Sequence, residues 1–142
     1  MEWKELVWKI AKIGRGHRKI VEKKIAALGI HPSQHHFLMY LSGKGPSTQS
    51  DIAQSMEISE ATVAVSLKKL EKGNYIEKRS NPEDKRCNKI VLTSFGEEAV
   101  CESTKMFKEV DSAMFEGFSE EDQKLFGEYL DRVLENMKKM EE

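Results

Sequence analysis

The stretch from Thr48 to Thr93 constrains this chain more than any other, because its hydrophobic period changes there from helical to alternating around readable turns. Gln49 to Met56 predicts a short helix, Glu57-Ile58 a tight turn, and Ala61 to Lys72 a longer helix. Ser59 can accept a hydrogen bond from the first free backbone N–H groups of that second helix, while apolar Ile58 before it can pack inward. Val63, Leu67 and Leu70 recur at helical spacing, leaving Thr62, Ser66, Lys68, Lys69 and Lys72 to point away from the buried stripe. Hydroxyls and lysines on an outward face suit phosphates and base edges when a helix lies in a major groove roughly 12 Å wide.

Gly73-Asn74 ends the helix, since either residue can take the left-handed conformation that most residues avoid. Tyr75 to Arg79 and Lys89 to Thr93 then predict two strands, joined by the turn-rich tip Asn81-Pro82-Glu83-Asp84-Lys85-Arg86. The sum is a helix-turn-helix followed by a β wing.

Leu70-Glu71-Lys72, Ile76-Glu77-Lys78-Arg79, the tip from Asn81 to Arg86 and Leu92-Thr93-Ser94-Phe95-Gly96 together resemble the MarR family of transcriptional regulators. The Asp-x-Arg at the wing tip and the Leu-Thr-x-x-Gly after the second strand stand at the expected distance from the recognition helix, and a weaker resemblance runs over the whole length. It implies that Arg86 enters the minor groove and that Asp84 holds the wing in shape; an arginine in a narrow, electronegative groove has a clear electrostatic rationale. Many relatives carry a Ser/Thr-Arg pair mid-helix where this chain has Ala64-Val65, so base readout falls to Thr62, Ser66 or the lysines.

At 142 residues, with 39% hydrophobic and 33% charged, the chain reads as one globular domain. No apolar run of about 18 residues exists to span a bilayer and no signal peptide precedes the first helix, so a cytoplasmic location without membrane association is expected. Net charge is −1, unevenly spread. Residues 1–58 carry nine Lys/Arg against five Asp/Glu, residues 59–92 eight against five, and residues 93–142 six against fourteen. The acidic excess of the last third reads as solvated helix faces, whereas the basic middle coincides with the groove-facing surface, the footprint expected of a DNA binder.

Upstream, Glu2 to Leu28 predicts a long amphipathic helix interrupted by Gly14 and Gly16, for which close packing is the expected reason; each costs about 1 kcal/mol of helix propensity relative to alanine. Gly29 caps it, Pro32-Ser33 opens a helix from Ser33 to Leu41 with Phe37, Leu38, Tyr40 and Leu41 in the core, and Ser42 to Pro46 forms a loop. Thr48 and Asp51 form a variant capping box. Downstream, Thr93 caps a helix running to about Glu116, with Ala99, Val100, Met106, Phe107, Val110 and Met114 inward. Gly117-Phe118-Ser119 breaks it, and in the last helix Phe126, Leu130, Val133, Met137 and Met140 recur at the period of a helix packed along another.

The expected architecture is therefore mainly α with a small β wing. A winged helix-turn-helix, residues 31–93, is flanked by helical dimerisation segments at 1–30 and 117–142, with 94–116 connecting, in one structural domain overall. The terminal stripes need a partner; burial at about 25 cal/mol per Å² favours pairing with each other and with a second chain, as the resemblance also implies. A two-fold dimer would present two recognition helices about 34 Å apart to a palindromic operator.

The expected DNA-contacting residues are Thr48, Gln49, Ser59, Ala61, Thr62, Ser66, Lys68, Lys69, Lys85 and Arg86, with Asp84 structuring the wing. The function expected is a DNA-binding regulator, a repressor acting as a homodimer on double-stranded DNA. A small aromatic or anionic effector would release it from a pocket among Arg15, His17, His36 and Tyr40. The competing reading is a winged-helix interaction or architectural module, which Ala64-Val65 keeps open. His31, His35 and His36 invite a metal reading, but zinc-sensing relatives draw histidines from the helix after the wing, where this chain has none, so neither metal nor cofactor is expected. Cys87 and Cys101 match no CxxC motif; peroxide-sensing relatives place their cysteine in the first helix, and a redox switch is reserved for Cys87, whose thiolate Lys85 and Arg86 would favour. No nucleophile-base set or Gly-rich phosphate loop appears, so no enzyme activity is expected.

Overall fold

The computed structural model describes residues 1–142 except Lys85 and Cys87. In chain order the elements are α1 (Trp3–Ala27), α2 (Pro32–Lys44), β1 (Ser47–Thr48), α3 (Gln49–Met56), α4 (Glu60–Lys72), β2 (Ile76–Ser80), β3 (Asn88–Leu92), α5 (Ser94–Met114) and α6 (Glu120–Met140). They fall into two compact units, Met1–Phe107 and Lys108–Glu142, with α5 running through the junction. The fold is mainly helical with a small β wing, as the residue pattern predicts.

In the first unit, α3 and α4 form the helix-turn-helix. Thr48 accepts the Asp51 backbone N–H at 3.1 Å while the Asp51 carboxylate accepts that of Thr48 at 3.1 Å, a complete capping box on α3. Glu57 closes the turn with φ +56, a left-handed conformation unusual for a residue with a Cβ, and Ser59 starts α4 by accepting the Thr62 N–H at 3.1 Å. Val63, Leu67 and Leu70 are buried to 1% exposure or less, with Leu38 of α2 and Ile52 of α3 fully enclosed.

The sheet has three antiparallel strands in the order β1-β3-β2, one more than the predicted hairpin. Ser47 and Thr48 pair with Ile90 and Lys89, and a two-residue strand has too little alternation to show in sequence. The hairpin strands sit one residue off their expected bounds, with Ile76 opposite Leu92 and Ser80 opposite Asn88. Of the two candidates for the left-handed residue, Asn74 takes it, at φ +64.

The wing base is tied to α5 through Thr93. Its hydroxyl donates to the Asn74 carbonyl at 2.5 Å and accepts the Gly96 N–H at 3.0 Å, while its own N–H reaches the Tyr75 carbonyl at 3.1 Å. Tyr75 stacks on Phe95 with centroids 5.0 Å apart.

Three further expectations need correction. α1 runs unbroken through Gly14 and Gly16, and a Cβ at either would meet nothing within 4 Å, so close packing within the chain is not their reason. α2 continues past Leu41 to Lys44, because Gly43 does not stop a helix that only Gly45, at φ +77, turns away. On α2, His35 rather than Tyr40 joins Phe37, Leu38 and Leu41 in the core; Tyr40 is half-buried and its hydroxyl reaches Ser55 Oγ at 3.2 Å.

In the second unit, Gly117 at φ +85 lets the chain reverse, Phe115, Phe118 and Phe126 gather with centroids 5.5 to 6.3 Å apart, and Ser119 and Asp122 form a second capping box. Ala99, Val100, Met106 and Val110 of α5 are buried as expected, Phe107 is half-buried, and Met114 is 38% exposed. No residue of α6 is buried, and Leu125, Phe126, Tyr129, Leu130, Val133, Leu134, Met137 and Met140 are all exposed.

Candidate nucleic-acid interface

Burying Val63, Leu67 and Leu70 turns the opposite face of α4 to solvent. Ala61, Thr62, Lys68 and Lys69 are exposed there and Ser66 is half-buried. Val65 is 58% exposed. Thr62 Oγ1 and Ser59 Oγ lie 2.8 Å apart, so the two hydroxyls at the start of the helix are held together. The Gln49 amide donates to the Glu60 carbonyl at 3.1 Å and Ser50 Oγ to the Glu60 carboxylate at 2.5 Å, which fixes the start of α3 against the start of α4.

The wing tip is built by two short side-chain-to-backbone bonds. Asn81, buried at 7% exposure, accepts the Glu83 N–H at 3.1 Å, and Asp84 accepts the Arg86 N–H at 3.0 Å. Arg86 Nε lies 3.8 Å from the same Asp84 oxygen, yet the Arg86 side chain is 95% exposed, leaving its donors available. Lys85, predicted to share this role, and Cys87 lie outside the described residues.

Wing and helix-turn-helix meet in a cleft of about 250 Å³ lined by Thr48, Gln49, Ser50, Lys78, Arg86, Asn88 and Ile90. It brings the expected Thr48, Gln49 and Arg86 together and adds Ser50, Lys78 and Asn88. Lys78 lies within the expected first strand, whereas Asn88 falls one residue before the expected start of the second. A helix N-terminus flanked by a lysine and an arginine is a setting that favours anionic oxygens. Hydrogen bonds from Thr48 hold the Asp51 carboxyl below the usual carboxylate range, and Lys89 adds to this.

Of the expected effector residues, His17 and His36 line a second cavity, of about 830 Å³, between α1 and α2, together with Arg18, Glu22, His31, His35 and Phe107. Arg15 and Tyr40 are not among its lining residues. Among the described residues no three His, Cys, Asp or Glu side chains gather as a metal site, and Cys101 is an exposed thiol on α5. No helix of the described residues is long and apolar enough to cross a membrane.

A two-helix unit with a basic outward face and an arginine-tipped wing beside it defines a winged helix-turn-helix DNA-binding protein. Residues 28–86 match the model of the MarR family. The HTH-type transcriptional regulator YdgJ of Bacillus subtilis (strain 168) is 30% identical over 128 residues, covering 89% of this chain and 78% of that one. MepR of Staphylococcus aureus, a regulator of the multidrug efflux pump MepA, superposes with a TM-score of 0.83 at 24% identity, over 96% of this chain and 99% of that one. A MepR mutant bound to an oligodeoxyribonucleotide superposes with a TM-score of 0.75 at 26% identity, over 93% and 97%. The chain belongs to the MarR family. It is a DNA-binding transcriptional regulator of that type and not an enzyme.

Proposed function

We propose that the chain is a cytoplasmic repressor that binds a palindromic operator as a homodimer and is released from it by a small effector. The observation that carries this reading is the pairing of the exposed Thr62, Lys68 and Lys69 face of α4 with an Arg86 side chain that is solvent-exposed but fixed at its backbone by Asp84. The helix supplies major-groove and phosphate contacts and the wing a minor-groove arginine. Val65, apolar and exposed, suits a thymine methyl in place of the guanine contact that an arginine would make. Thr48, Gln49, Ser59, Ala61 and Ser66 stand at the edges of this surface, and Lys85 joins it by its place in the wing-tip sequence.

Dimerisation is supported by the uncovered apolar residues of α1 and α6, which include Trp3 at 82% and Leu134 at 62% exposure. Residues 1–30 and 117–142 are then the dimerisation segments, 31–93 the DNA-binding part and 94–116 the link. The effector site, on this reading, is the cavity holding His17 and His36, and a ligand acts there only through a difference in affinity between the DNA-binding and released arrangements. Nuclease footprinting on DNA flanking the gene for this protein tests the proposal. Two protected half-sites about one helical turn apart support it; uniform or absent protection overturns it.

A further inference from the structure

All four histidines of the chain, His17, His31, His35 and His36, line one cavity. Two of them act on α2 in ways that require a neutral imidazole. His31 is the N-cap of α2, its Nδ1 accepting the Ser33 backbone N–H at 3.2 Å with Ser33 Oγ 2.6 Å away. A proton on Nδ1 removes that acceptor and opposes the positive end of the helix. One turn on, His35 is 4% exposed, its Nε2 has no hydrogen-bond partner among the described residues, and its ring faces Phe107 of α5 with centroids 5.7 Å apart. Burial lowers its pKa below the ordinary histidine range, and neighbouring His36 lowers it further.

The groups facing a new charge on His35 are mixed. α1 contributes His17, Arg18 and Glu22 to the cavity, the α1–α2 turn His31 and α2 itself His36, while α5 contributes only uncharged Phe107. Glu22 is thus the one carboxylate among them, set against an arginine and three further imidazoles. α4 and β3, which pack against α2, place no side chain in the cavity, so α2 is the element that links these histidines to the recognition helix.

We propose that this cavity is a proton-responsive site: a proton taken up by buried His35 in mild acid loosens α2 from α1 and α5 and lowers the affinity of the regulator for DNA. The DNA part rests on the operator-binding reading above; the loosening does not. Because the unfolded imidazole titrates near 6.5 and buried His35 lower, the stability that neutral His35 confers is complete above about pH 6.5. It falls as acid passes through that value, and the loss levels off below the folded pKa.

The test uses the full chain without DNA, then with a footprinted operator, at constant ionic strength from about pH 8 to about pH 5, the range in which histidine charges. The expected result is a urea midpoint that drops with acid in the wild type and stays flat below pH 6.5 in the variant His35→Gln, with operator affinity following the same pattern. Parallel curves for wild type and variant overturn the proton site, and a pH-dependent midpoint with pH-independent affinity overturns its coupling to DNA. A chain that binds no operator at any pH contradicts the operator reading, and the midpoint then still decides the proton site. Should the variant not fold, the ring resonances of wild-type His35 decide: titration below those of an unfolded reference supports the site, and titration at the reference value overturns it.

Discussion

Asp84 holds the backbone N–H of Arg86 at 3.0 Å while the Arg86 side chain stays 95% exposed, so one carboxylate fixes the wing tip without consuming the cation it presents. Position and availability are therefore separable by mutation. Arg86→Ala should weaken operator binding by about 1–3 kcal/mol and leave the melting temperature unchanged. Asp84→Ala should weaken binding by less, and Asp84→Asn, which keeps an acceptor oxygen, should retain most of the affinity. Gel-shift titrations with matched thermal melts check the order; a melting loss in Arg86→Ala would assign the residue to stability instead.

Glycines that look alike in sequence should respond oppositely to alanine. At Gly96 an added Cβ would stand 2.1 Å from the Tyr75 carbonyl oxygen, a backbone atom held by Thr93, so Gly96→Ala should cost at least about 2 kcal/mol. At Gly14 nothing lies within 4 Å, and Gly14→Ala should stabilise α1 by about 0.5–1 kcal/mol. Urea unfolding of both variants measures the difference; destabilisation of equal size at the two sites would contradict these packing assignments.

The capping box of α3 gives an acid-sensitive contribution whose direction is fixed. Hydrogen bonds from Thr48 lower the Asp51 pKa, so the stabilisation is full above the usual value of 3.8 and disappears as pH falls through the lower folded value. Thr48→Ala should cost about 0.5–2 kcal/mol at neutral pH and much less in strong acid. Unfolding midpoints of wild type and variant should converge with acid; a constant gap would show that Thr48 acts through its strand pairing with Lys89 instead.

The exposed apolar face of α6 should be covered by a second copy in solution. Light scattering at micromolar concentration should give twice the 16.3 kDa chain mass, and Leu130→Glu with Val133→Glu should shift it toward the single-chain value. A wild-type monomer would leave these side chains without the proposed partner.

Much of this was legible in the residues because it is local. Val63, Leu67 and Leu70 announce α4 by period, Ser59 and Thr48 announce caps by chemistry, and Asp84-Lys85-Arg86 marks the wing by resemblance. The missed features are set by distant partners. β1 exists only because Ser47 and Thr48 find Ile90 and Lys89, and the hairpin ends where Ile76 meets Leu92 and Ser80 meets Asn88. His35 reads as a polar residue beside His36, and only the arrangement of α1, α2 and Phe107 encloses it. The turn at Glu57 carries no glycine or asparagine to betray its positive φ.

Operator affinity measured against salt concentration tests the central claim most directly, because each phosphate neutralised by a lysine or arginine releases counterions and steepens the slope. A linear fall of log affinity with log salt is expected, shallower by about one unit for each charge removed in Lys68→Ala, Lys69→Ala or Arg86→Ala. A salt-independent affinity, or slopes that these three substitutions leave unchanged, would contradict the placement of DNA on α4 and the wing.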